Sequence, residues 1–179
     1  LSSSLESTVS RKNIISLTGF MASGKSSAGR ILAHKLNYDF ADTDDIIEHK
    51  QSMSITDIFK IYGEEKFREM ESDILLSFKG KNNTVISCGG GAVLKEANRE
   101  FLRDETLPFW LYTSMEETLK RGNDRTRPLL NQMERPEQLM ELFEKRKHLY
   151  ASLYGTLLIS EGSPKQIMEL INEEIRLSL

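Results

Sequence analysis

Cysteine is almost missing from this chain: Cys88 is the only one among 179 residues. No internal disulfide can form, and such sparing use suits a reducing compartment, so a cytoplasmic protein is expected. Positive charge is not in excess. Lys and Arg number 24 against 27 Asp and Glu, a formal net charge of -3. That balance excludes a general attraction to nucleic acid or to an anionic membrane, so any basic character used on a phosphate must be local. No apolar run approaches the ~20 residues of a membrane span. The serine-rich start has no apolar signal core, and residues 1–12 are expected to be a disordered tail. No internal repeat and no interdomain linker is visible. Residues 13–179 are therefore expected to form one domain, long enough to bury a sizeable core.

Against these absences stands Gly19-Phe20-Met21-Ala22-Ser23-Gly24-Lys25-Ser26. It fits G-x-x-x-x-G-K-[ST], the phosphate-binding P-loop. Before it lies a short β-branched run, residues 13–18, that reads as a buried strand. After it, Ala28, Ile31, Leu32, Lys35 and Leu36 recur at helical spacing. Gly19 and Gly24 let the backbone turn tightly against a phosphate. The amides from Ala22 and Ser23 through Ser27 then form an anion nest at the positive end of the helix. Lys25 reaches the outer phosphates, and Ser26 offers a hydroxyl to Mg2+. The motif says that a nucleotide binds, not what is done with it.

Further along, residues 38–41 read as a strand running into Asp42-Thr43-Asp44-Asp45. In extended geometry Asp42 and Asp44 project to one side. One carboxylate could hold Mg2+ through water and the other take a proton from an acceptor hydroxyl; capping of the next helix by Thr43 or Asp44 is the competing reading. Ser54 caps a helix that Gly63 breaks, and a second helical pattern covers 64–78. There Arg68 and Glu71 stand at i, i+3, as a surface ion pair or as a glutamate orienting an arginine towards an anion.

Residues 84–88 form the next buried strand and run into Gly89-Gly90-Gly91, which exposes amide donors and permits close approach, or is simply a flexible turn. Cys88 reads as a small core residue. A helix over 96–103, a strand over 107–112 and a helix through Leu119 follow. The turn-rich segment after it concentrates Arg121, Arg125 and Arg127 and suits a mobile lid over phosphates, residues 122–135. The helix opened by Pro136 carries Arg146 on or beside its apolar stripe, either snorkelling or facing a ligand pocket. A strand at 156–159 and a helix capped by Ser163 end the chain. Alternating strands and helices predict an α/β protein with a parallel sheet covered on both faces. Its expected core is Ile14, Ile15, Leu17, Ile31, Leu32, Leu36, Val85, Ile86, Phe109, Leu111, Leu142, Leu158, Ile171 and Ile175.

Six stretches, in this order, resemble shikimate kinase: the P-loop from Gly19, Asp-Thr-Asp from Asp42, Phe-Arg-x-x-Glu from Phe67, Gly-Gly-Gly from Gly89, Arg-Pro-Leu-Leu from Arg127 and Lys-Arg-x-x-Leu-Tyr from Lys145. The ordered set separates this family from gluconate and nucleoside-monophosphate kinases. The resemblance implies a three-layer P-loop kinase fold with a five-stranded parallel sheet, a helical substrate-binding region near 43–80 and a lid. It implies ATP-dependent phosphorylation of the 3-hydroxyl of shikimate in aromatic amino acid biosynthesis, with ATP and Mg2+ bound and a monomer expected. Carried over, Asp44 binds shikimate hydroxyls and serves as base. Arg68 and Arg146 grip its carboxylate beside the backbone of Gly89, Gly90 and Gly91. Arg127 and Lys25 meet the transferring phosphate. Ser26 ligates Mg2+ with Asp42 behind it through water. A cation near Lys120 and Arg121, with Ser163 and Pro164, sandwiches adenine. Ala22 departs from the glycine usual in the family; a positive φ there would carry about 1–3 kcal/mol of strain. Cys88 replaces a more usual Thr or Ser.

Overall fold

The computed structural model describes residues 13–122 and 136–177. Five parallel strands form one sheet: β1 (Ile14–Thr18), β2 (Asp39–Asp42), β3 (Thr84–Ser87), β4 (Leu107–Tyr112) and β5 (Thr156–Ile159), in the order β2-β3-β1-β4-β5. The helices are α1 (Lys25–Leu36), α2 (Thr43–Gln51), α3 (Ile55–Leu76), α4 (Glu96–Glu105), α5 (Met115–Gly122), α6 (Pro136–Ala151) and α7 (Pro164–Leu177), with a 3-10 turn at Ala92–Leu94.

Strand alternation sorts the core into two layers. Ile15, Leu17, Val85 and Phe109 meet Ala28 and Leu32 of α1 and Ile167 and Ile171 of α7. Ile14 and Ile86 face the opposite way, onto Leu75, Phe101, Leu102 and Tyr150. A third cluster, Ile47, Ile58, Phe67 and Ile74, binds α2 to α3 away from the sheet. This gives the three-layer α/β architecture with an added helical region. In register, Leu17 lies between Ser87 and Phe109, and Asp42 lies beside Ser87. The carboxyl ends of β1, β2 and β3 therefore open on one edge, where an open α/β sheet places its ligand.

Several sequence expectations shift. Ile31 is 37% exposed, because the buried stripe of α1 runs through Ala28, Gly29, Leu32 and Ala33 and leaves Ile31 on its flank. Leu36, Leu142, Leu158 and Ile175 are only partly buried; β5 is an edge strand, and its Leu157 and Ile159 face outward. The break at Gly63 is real (φ 78°, ψ 171°), with helix on both sides. Extended geometry does not persist past Asp42. That residue is itself the cap of α2, accepting from the amides of Asp44 and Asp45 at 3.1 and 3.4 Å.

Candidate active site

The P-loop leaves β1 in a conformation that selects its residues. Gly19 has φ 141°, and a Cβ there would run into the Leu111 carbonyl. Gly24 (φ 83°) precedes α1 in left-handed geometry. Ala22 also lies in the left-handed region, at φ 60°, so the strain foreseen for a non-glycine residue applies. Two side chains hold this turn from outside: Arg121 Nη1 donates to the Ala22 carbonyl at 3.3 Å and Ser160 Oγ to the Ser23 carbonyl at 2.5 Å. The first turn of α1 has no acidic residue and no side-chain cap, so its amides are available to an anion. Lys25 is buried against the loop, donating to the carbonyls of Gly19 and Phe20 at 3.0 and 2.8 Å and to Ser23 Oγ at 3.2 Å. Ser27 is exposed on the first turn.

Oxygen ligands gather where β2 and β3 end. Ser26 Oγ donates to Asp42 Oδ2 at 2.6 Å and lies 3.2 Å from Ser87 Oγ. Among the described residues no group of three His, Cys, Asp or Glu side chains could by itself cage a metal. A hydroxyl and a carboxylate instead suit Mg2+, a hard cation that takes few protein oxygens and completes its shell with water and phosphate.

Beyond lies a cluster of buried charge. Asp44 Oδ1 and Glu71 Oε1 are buried without a hydrogen-bond partner among the described residues. Burial first, then the charges of Glu71 and Asp42, push the Asp44 carboxyl up to about 7. Arg68 and Glu71 do not form the surface pair that spacing alone allows: their side chains are 9% and 1% exposed, and Nη1 meets Glu71 Oε2 at 2.8 Å. Glu64 Oε1 accepts from Nε and Nη2 at 3.3 and 3.2 Å. Burial works against the Arg68 charge, but the glutamates outweigh it and hold the guanidinium above its usual value. Arg146, on a different helix, is 5% exposed. It donates to the Gly90 carbonyl at 3.3 Å. Burial pushes it below its ordinary value, and Arg68 adds to that.

The three glycines make room chiefly for the protein's own side chains. A Cβ on Gly89 would collide with Glu71 and lie 2.6 Å from Asp44 Oδ1, and one on Gly91 would strike the Arg68 guanidinium. Gly89 N–H also donates to Thr43 Oγ1 at 2.8 Å. Gly90 differs: a Cβ there would meet the backbone of Gly19 and Met21 only at ordinary contact distance, 3.7 Å, and its carbonyl also accepts from Tyr150 Oη at 2.6 Å. Cys88 is buried and its thiol is pushed up by burial, which suits a core residue and not a nucleophile.

The phosphate loop and the charged cluster meet at one cavity of about 330 Å3, lined by Lys25, Ser26, Asp42, Asp44, Arg68, Glu71, Gly90, Gly91 and Arg146 together with the apolar walls of Ile55, Phe59 and Phe67. Ser163 is exposed and caps α7, its Oγ accepting from Gln166 N at 3.3 Å. The neighbouring Gly162 carbonyl accepts from Arg121 Nη2 at 3.4 Å. Arg127 and the rest of the segment read as a lid, beyond Gly122 at the end of α5, lie outside the described residues.

The shikimate kinase family model matches residues 21–176. The chain belongs to the shikimate kinase family. It is 43% identical to a shikimate kinase of Geobacter sulfurreducens over 78% of this chain and 77% of that one. It is 40% identical to one from a Sulfurihydrogenibium species over 92% and 98%. A solved shikimate kinase from Acinetobacter baumannii, in complex with shikimate, superposes with a TM-score of 0.87 at 36% identity, covering 94% of this chain and 95% of that one. A gluconokinase from Sinorhizobium meliloti, at 18% identity and a TM-score of 0.56, shares the fold alone. Shikimate kinases are ATP-dependent phosphotransferases of aromatic amino acid biosynthesis. Among the described residues no helix is long and apolar enough to cross a membrane.

Four residues that bond to the groups of this candidate site were not singled out from the sequence: Ser87, Tyr150, Ser160 and Glu64. Ser87 and Ser160 look like ordinary strand-end residues, and Tyr150 like another apolar-stripe position. Glu64 is one of many acids on α3, and only its i, i+4 spacing to Arg68 could have marked it.

Proposed function

We propose that this chain transfers the terminal phosphoryl group of ATP to the 3-hydroxyl of shikimate, with its residues dividing the work as follows. Asp44 holds the shikimate hydroxyls and takes the proton of the attacking one; a carboxyl poised near 7 suits a base at neutral pH. Arg68 and Arg146 bind the shikimate carboxylate from two helices, which orients the ring and brings the hydroxyl into line. The backbone of Gly89, Gly90 and Gly91 completes the wall on that side. The amides from Ala22 to Ser27 cradle the ATP phosphates, and Lys25 turns its charge on the group being transferred. Arg127 on the lid reaches the same group. Arg121 and Ser163 flank adenine. Ser26, with Asp42 behind it, holds Mg2+, which when bound offsets charge on the outer phosphates. The active unit is a monomer in the cytoplasm.

What carries the reading is one juxtaposition. Two arginines from helices far apart in sequence border the same cavity as a buried aspartate and the P-loop lysine. An acid with hydroxyls fits between them; a nucleoside base does not call for paired guanidinium groups. A coupled ADP-release assay tests it with shikimate, gluconate and nucleoside monophosphates as acceptors. Turnover is expected with shikimate alone. ADP release driven by gluconate or a nucleotide, with none from shikimate, would overturn the assignment.

A further inference from the structure

In the Lys-Arg-x-x-Leu-Tyr stretch Lys145 is exposed and paired with Glu141, whereas Tyr150 is a buried polar member to which the division of labour above gives no duty. It is 1% exposed and stands four residues after Arg146, on the same face of α6. Its hydroxyl and Arg146 Nη1 donate to the same acceptor, the Gly90 carbonyl, at 2.6 and 3.3 Å. A carbonyl oxygen has two lone pairs, and these two donors fill them. The two donors come from one helix and converge on one oxygen, which ties arginine, tyrosine and peptide together. The ring is fixed in turn by Trp110 of β4, stacked on it at 5.7 Å and 27°. Gly90 itself faces the P-loop backbone, which a Cβ built on it would meet at 3.7 Å. With the Gly90 carbonyl tied to α6, the planar trans peptide turns the Gly91 N–H away from α6.

Arg68 has a holder of a different kind, the carboxylate of Glu71, which neutralises it. Among the described residues the bonded partners of Arg146 are neutral. Tyr150, sharing the Gly90 acceptor, fixes direction without bringing a negative charge, so Arg146 keeps more of its attraction for an acid than the directly paired Arg68 does.

We propose that Tyr150 is a positioning residue for the acid substrate, aligning the Arg146 guanidinium and the Gly90–Gly91 peptide beside the P-loop without adding a counter-charge to the arginine. This rests on the assignment of Arg146 to the shikimate carboxylate. The test pairs Tyr150→Phe, which keeps the ring and removes the hydroxyl, with Trp110→Phe, which loosens the ring and keeps the hydroxyl. Shikimate binding is measured by calorimetry and turnover by steady-state kinetics. Loss of the hydroxyl bond that holds the Gly90 carbonyl beside Arg146 should raise the shikimate Kd and KM of Tyr150→Phe about five- to tenfold. Its kcat and its KM for ATP should stay within about twofold, the pattern of lost ground-state binding. Trp110→Phe should lower Tm yet bind shikimate within about twofold of the parent. Unchanged shikimate affinity in Tyr150→Phe would overturn the proposal, and so would an equal loss in Trp110→Phe, which would trace the effect to packing. A parent protein that binds no shikimate would instead overturn the substrate assignment, and the proposal with it.

Discussion

The two halves of the cavity are built from different material. The phosphate half is mostly backbone: loop amides, a helix end and one buried ammonium, Lys25. The acid half is made of ionisable side chains, with Asp44, Arg68, Glu71 and Arg146 crowded behind three glycines. Amides carry no net charge, so burying a cradle of them carries little of the penalty that ions incur. Buried ions need partners, and a partner removed leaves the other exposed to that penalty. The phosphate half should therefore tolerate loss of its charge with the fold intact. In the acid half function and stability should be entangled.

The sharpest test of that contrast is Lys25→Ala. Removing the full charge aimed at the transferring group should lower kcat by at least about 10²–10³-fold. Its three acceptors among the described residues, Gly19 O, Phe20 O and Ser23 Oγ, are neutral groups beside the cavity that Lys25 itself lines, so no charge is stranded and Tm should move by only a few degrees, about 2–4 °C. Activity above about a tenth of the parent's would show that this half works by amides alone.

Next come the two arginines, which should separate from each other. Arg68→Ala strands Glu71, already 1% exposed with one oxygen unpartnered, and should destabilise the fold by about 3 kcal/mol as well as weakening shikimate capture. Among the described residues Arg146→Ala leaves behind the Gly90 carbonyl, which still accepts from Tyr150. It should raise the shikimate KM about 10–100-fold and lower stability by about 1 kcal/mol. Chemical denaturation beside steady-state kinetics reads both. Equal destabilisation by the two substitutions would erase the distinction between a neutralised and an unneutralised arginine.

The same contrast governs how far the sequence alone could go. The phosphate half occupies eight successive residues with glycines at fixed offsets, so strand, loop, helix and lysine were all visible. The five strands were visible too, each within one residue at its ends, because buried parallel strands are short apolar runs bounded by turns. The acid half is assembled from α2, α3, the glycine loop and α6, and no local pattern announces that assembly. Spacing put Arg68 near Glu71 but could not say that both were buried, because burial comes from Phe59, Phe67 and Gly91 closing around them. Asp42 and Asp44 were rightly grouped, but for the wrong local reason: they converge through a helix cap and not along a strand.

Asp44 offers a smaller effect with a sign that can be checked. Its carboxyl sits at about 7 in the fold against an ordinary 3.8. Between these values the folded state keeps a proton that the unfolded chain has lost, so stability falls as pH rises from about 4 to 7 and stays low above that. Asp44→Asn, which cannot ionise, should abolish turnover yet be more stable than the parent at pH 8, by about 1–2 kcal/mol. That advantage should disappear near pH 4. The scans belong in buffer free of nucleotide and metal. A variant no more stable than the parent at pH 8 would mean that the charge is better solvated than its burial implies. In the parent, kcat/KM should fall as pH drops through about 7, as the base takes up its proton.

The smallest effect lies in the phosphate half, where a backbone-built site should answer to backbone changes. Ala22 is held at φ 60° and buried. An L-residue there is strained by about 1–2 kcal/mol, whereas glycine adopts the conformation freely. Glycine also loosens the unfolded chain, which offsets about 0.4–1 kcal/mol of the gain. Ala22→Gly should therefore stabilise the protein by about 0.5–1 kcal/mol, raising Tm by about 1–4 °C. The Ala22 carbonyl stays tied to Arg121, so the loop has no reason to lose its shape, and turnover should be unchanged. A lowered Tm would mean that the Arg121 and Ser160 contacts already absorb the strain and that glycine adds only disorder. The phosphate half would then depend, like the acid half, on side chains that brace it from outside.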